Sequence, residues 1–180
     1  EMPQQSAGLM RGFQLWINLP AKEKMSDPGY QEYSPGAFPR MALANGEVRV
    51  VIGHYGGQQS PIRDPHTDVQ YLDVSLGPGA EFRHHLEAEA AFAYIFEGDA
   101  AVVNTALGTH TLAVLGPGDE LAITAGLRGA RFILVAGRPL GEPIVQYGPF
   151  VMASREEVER ALDDYRSGRL VQKKASFVGR

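Results

Sequence analysis

"GAEFRHHLEAEAAFAYIFEG", residues 79–98, is the stretch on which the fold turns. Its second half alternates: "FAYIFE", Phe92 to Glu97, reads as a half-buried strand running to the turn pair Gly98-Asp99. Its first half holds the densest polar cluster of the chain, "RHHLEAE" at residues 83–89. His85 and Glu87 are two apart, so in a strand they share a face, and Glu89 can join them. Imidazole and carboxylate on one face suit a first-row metal, which needs three or four convergent ligands. The histidines outside the cluster, His54, His66 and His110, form no second ligand-like pair. A charged strand edge is the other reading of the same residues.

Short strands continue on both sides. Phe13 to Leu19 alternates, with Phe13, Leu15, Ile17 and Leu19 on one face. "VRVVIGHY" (48–55) follows the turn signal Asn45-Gly46, and Gln70 to Leu76 sets Leu72, Val74 and Leu76 together. "AAVVN" follows Asp99, and Thr109 to Leu115 ends at "GPGD". Glu120 to Thr124 and "RFILVA" (131–136) complete the set. Strands this close, punctuated by glycine and proline, predict an all-β sandwich or barrel. Residues 21–40 are rich in proline, glycine and charge and read as an irregular arm. One helix is expected: Ser154 caps it, Glu157 completes a capping box, and Val158, Ala161, Leu162 and Tyr165 form one apolar stripe. Gly168 ends it. From Tyr165 to Arg180 lie Arg166, Arg169, Lys173, Lys174 and Arg180 with no acid, which is a solvated basic tail or an anion-binding arm.

Composition narrows the function. Lys plus Arg is 17 against 21 Asp plus Glu, a net charge of −4, which argues against direct nucleic-acid binding. There is no cysteine, hence no disulfide framework and no thiolate chemistry. The start is polar and unlike a signal peptide, and no apolar run approaches the roughly 20 residues that span a bilayer. A cytoplasmic protein without membrane contact is expected.

Residues 79–98 resemble the first cupin motif, in which a glycine, two histidines two apart, a glutamate and a closing glycine recur. Residues 117–131 resemble the second, a proline–glycine–aspartate turn followed by a histidine. Gly79 and Gly98 match, and His85 matches the first metal histidine. Glu87 stands at the second histidine, Ala91 at the glutamate, and the last histidine falls near Arg131. A guanidinium repels a divalent ion and cannot deprotonate; two unit charges about 4 Å apart interact by roughly 4 kcal/mol at an effective dielectric of 20. Arg131 is therefore expected inside the barrel facing Glu87 or Glu89, in place of a metal, with a small anion at Arg131 and His85 as a further use. The resemblance implies a double-stranded β-helix, a jelly-roll barrel, with a C-terminal helix.

"RGFQLWINLPAKEKM" (11–25) and "GEPIVQYGPFVMASREEVERALDDY" (141–165) are similar to pirin, a two-domain cupin, and the likeness runs from Glu1 to about Gly168. It implies residues 1–20 as the end of a first cupin domain, 21–45 as a linker arm, 46–150 as the second barrel, and 151–180 as helix and basic tail. In the family an H-x-H pair and a later H-x-E pair in the first domain hold iron. The opening "EMP" matches the end of "H-S-E-M-P", which makes Glu1 the last iron ligand and a catalytic carboxylate, with the other three ligands upstream. The intact protein would thus use Fe(II) or another divalent metal. Its substrates would be O₂ and a small aromatic, flavonol-like molecule, as in quercetin 2,3-dioxygenases. This chain alone, with the degenerate set His85, Glu87, Glu89 and Arg131, is expected to need no cofactor and to be inactive. The alternatives are a regulatory protein-binding module, with Trp16, Tyr30, Tyr33 and Phe38 as contact residues, and a scaffold.

Overall fold

The computed structural model describes residues 7, 8, 10–64, 66–86 and 89–178. Along the chain run β1 (Gly29–Gln31), β2 (Arg40–Leu43), β3 (Gly46–Ile52), β4 (His54–Tyr55), β5 (Gln58–Gln59), β6 (Gln70–Leu76) and β7 (Glu81–His85). They are followed by β8 (Ala90–Val102), β9 (Thr105–Leu107), β10 (Thr111–Val114), β11 (Glu120–Gly137), β12 (Val145–Tyr147), β13 (Phe150–Met152), α1 (Arg155–Arg166) and β14 (Ser176–Val178). In the main sheet β10, β8, β11, β6, β3 and β2 are neighbours in that order, with β7 also on β11 and β9 on β8.

Period-two alternation builds the barrel wall. Leu72, Val74 and Leu76 of β6 are buried, whereas Tyr71, Asp73 and Ser75 between them are only partly so. Val48 and Val50 of β3, Ile95 of β8, and Ile123, Phe132 and Leu134 of β11 meet them in one core. β11 closes the structure because it changes neighbours. Residues 120–124 pair with β7, residues 130–136 pair with β6, and β8 runs beside both stretches. The register with β8 shifts between Ala125 and Ala130 and again between Arg131 and Phe132. Such irregularities bend a sheet over on itself. The two runs read separately at 120–124 and 131–136 are thus one strand. Gly98, expected as a turn, lies inside β8 at φ +69° opposite Ala130.

Phe13–Leu19 is not a strand. Its alternation survives over residues 14–17, with Leu15 and Ile17 half-buried and Gln14 and Trp16 exposed, while Asn18 and Leu19 are both half-buried and Phe13 is exposed. A ladder needs a free edge, and β8, on whose outer face Phe13 rests, already lies between β10 and β11. Phe13 packs edge-on against Tyr94 and Phe96, with centroids 5.9 and 5.0 Å away.

The helix has its full capping box at Ser154 and Glu157. Val158 and Ala161 are buried, but Tyr165 is 67% exposed, with its ring edge-on to Phe150. At its end Gly168 N–H donates to Tyr165 O and Arg169 N–H to Asp164 O, the Schellman pair of bonds. Three cations of the tail are paired at the surface: Arg166, Arg169 and Lys173 with Asp163, Asp164 and Asp27. β14 then lies parallel to β1, with Tyr30 against Phe177. β2, within the stretch read as linker arm, pairs with β3 in the main sheet. Among the described residues no helix is long and apolar enough to cross a membrane.

Candidate ligand-binding cavity

Alternation along β7 decides which polar groups face inward. Phe82 is 1% exposed and belongs to the core, so the side chain two residues on, His84, shares its face. His85 points the other way and is exposed. The imidazole of the barrel interior is therefore His84. Choosing His85 on motif spacing set the register off by one; anchoring on Phe82 locates the inward histidine.

His84 sits among rings, 5.2 Å from Tyr55 and 5.9 Å from Phe82 between centroids. Gln70 fixes its tautomer. The Gln70 amide donates from Nε2 to His54 O at 2.6 Å, so its Oε1 faces His84 Nε2, also at 2.6 Å. An oxygen there requires that Nε2 carry the proton. Burial pushes the Tyr55 phenol above its ordinary pKa. These groups lie in a cavity of about 690 Å³ at the barrel mouth. Met41, Leu43 and Leu86 form apolar wall, while Asp68, His85, Glu89 and Arg138 stand at the rim.

Arg131 is elsewhere, contrary to expectation. In β11 the inward positions are Ala130, Phe132, Leu134 and Ala136, so Arg131 projects from the outer face. There its guanidinium lies 5.0 Å over Phe96 and 3.6 and 3.8 Å from carboxylate oxygens of Glu97 and Asp73. A guanidinium aimed inward would be unpaired among apolar side chains, which is costly. Of the predicted set, His85 and Glu89 reach only the rim, and Glu1 and Glu87 lie outside the described residues. The sequence reading missed His84, Gln70 and Tyr55.

Residues 71–171 match the family model of the pirin C-terminal cupin domain. The chain belongs to the pirin family. Pirin-1 of Arabidopsis thaliana is 41% identical over 176 residues, covering 94% of this chain and 60% of that protein. A pirin-like protein of Caulobacter vibrioides is 41% identical over 172 residues, covering 94% and 62%. The chain spans about three fifths of the length of these curated relatives. The crystal structure of quercetin 2,3-dioxygenase from Acinetobacter baumannii superposes with a TM-score of 0.80 at 29% identity, over 86% of this chain and 55% of that one.

The described donors of this pirin barrel do not fit a metal. Among the described residues no three His, Asp or Glu side chains converge as ligands. His84 is hydrogen-bonded to Gln70 and lies against the rings of Tyr55 and Phe82. First-row ions need several convergent N or O donors, and the described residues of this interior bring no three together.

Proposed function

We propose that this chain is the C-terminal part of a two-cupin pirin whose intact form is a metal-dependent dioxygenase acting on a flavonol-like substrate with O₂. Its metal, Fe(II) or another divalent ion, lies outside the barrel of residues 46–150, with Glu1 as one carboxylate ligand. The fold likeness to the A. baumannii quercetin 2,3-dioxygenase carries this reading. In it the second barrel is a support and a binding body, not a coordination site.

The test is oxygen uptake coupled to quercetin loss by the intact Fe(II)-loaded protein. Activity that disappears with Glu1→Ala and persists with His84→Ala is expected. Turnover by residues 1–180 alone, abolished by His84→Ala, contradicts it.

A second reading, a protein-binding module, draws on a different feature. Trp16 is 64% exposed, and Leu112 and Val114 on the edge strand β10 are 54% and 78% exposed. Aromatic and aliphatic groups standing open on a surface are what partner chains cover. A partner retained by the wild type and lost on Trp16→Ala supports this reading; retention by the variant rejects it.

A further inference from the structure

We propose that the cavity at the barrel mouth is a metal-independent binding site for an uncharged, planar hydroxyaromatic molecule. Three observations select that chemistry. The first is size: about 690 Å³ lies within the range of roughly 300–1,000 Å³ that small-molecule sites occupy. The second is the aromatic wall. Tyr55 and His84, 5.2 Å apart, are backed by Phe82, 5.9 Å from each, and Met41 and Leu43 face the same cavity. A flat apolar ring is what such a wall takes up.

The third is the polar and charged content. Gln70 is held at both amide ends, by His54 O and by His84, so it is a fixed polar group at the cavity wall. An amide oxygen accepts two hydrogen bonds and an amide nitrogen donates two, which leaves Gln70 able to bond a hydroxyl. Among the described lining residues two carboxylates, Asp68 and Glu89, stand against one guanidinium, Arg138, beside the imidazoles of His54, His84 and His85. Carboxylates accept from hydroxyl donors and repel an anion. A carboxylate ligand therefore meets net repulsion, whereas a phenol meets both acceptors and a donor. No ion enters this scheme, so it stands or falls apart from the dioxygenase reading.

The experiment titrates residues 1–180 with resorcinol, benzoate and toluene, followed by amide shifts in NMR. It is run with EDTA present and at about pH 8, where imidazole is ordinarily neutral. Resorcinol is chosen because its hydroxyls do not chelate. It should shift Tyr55, Gln70 and His84 and bind at least about tenfold more tightly than benzoate, the worth of one good hydrogen bond or one avoided like charge. Tyr55→Leu and Gln70→Leu should each weaken it by about tenfold. Arg166→Ser, at the exposed end of α1 and outside the cavity lining, should change it by less than about threefold. Equal or tighter benzoate binding, loss of resorcinol binding in Arg166→Ser, shifts confined to another face, or no shifts at all would overturn the proposal.

Discussion

Gly79 and Gly98 frame the stretch that decides the fold, and the space around them differs. Both have positive φ, +68° and +69°. A Cβ on Gly79 would meet nothing within 4 Å, but one on Gly98 would lie 2.0 Å from Gly129 O. Gly79→Ala should thus cost only the backbone term, about 1 kcal/mol. Gly98→Ala adds a backbone collision where β8 crosses β11 and should cost on the order of 3 kcal/mol or more. Urea unfolding of the two variants checks the difference. Arg131 gives a second prediction at this scale. Its pair with Glu97 is half-exposed and worth little, and Asp73 keeps Arg49 at 3.9 Å, so stacking on Phe96 is the main loss in Arg131→Ala, about 1 kcal/mol. Ligand and metal behaviour of the barrel should not change, because the side chain is on the other face of β11. Equilibrium unfolding with resorcinol titration of the same variant measures both. Spacing alone could not place Arg131, because the shift between Arg131 and Phe132 alters which β8 residues they meet. His84, by contrast, was readable from Phe82, since a core phenylalanine two residues away fixes the face.

Elements were legible where one local rule sufficed. The helix start rests on a capping box within four residues, and the structure has it: Glu157 N–H donates to Ser154 Oγ at 3.2 Å, and Ser154 N–H to Glu157 Oε2 at 3.2 Å. Ser154→Ala should destabilise by about 1 kcal/mol, measured by urea unfolding; an unchanged midpoint would mean the cap is idle. β6 runs over Gln70–Leu76, as its alternation predicts. Phe13–Leu19 failed because alternation reports which side chains are covered, not whether the backbone has a partner. Its apolar face does cover Tyr94 and Phe96, from outside the sheet. The docking of the tail's end was not legible for a related reason. Lys173 pairs with Asp27, 146 residues away, and β14 lies on β1, and no local pattern announces a pairing so remote.

For the whole molecule, pH and metal are the informative variables. Burial raises the pKa of Tyr55; burial first, and then the charge of Asp73, raises that of Tyr71. A raised folded pKa means the folded state holds these protons more tightly than the unfolded one. Their contribution is complete below the unfolded value of about 10 and is lost as pH climbs through the folded values. The unfolding midpoint should therefore fall above about pH 10, and Tyr71→Phe should flatten that fall. The barrel architecture followed from strand spacing and turn residues, while its chemistry hung on a one-residue register that only the packed core settles. That chemistry is most directly tested by loading residues 1–180 anaerobically with Fe(II), desalting, and measuring iron per chain. An interior whose described donors nowhere converge in threes should retain no ion, in the wild type and in His84→Ala alike. One iron per chain that His84→Ala releases would contradict a metal-free barrel.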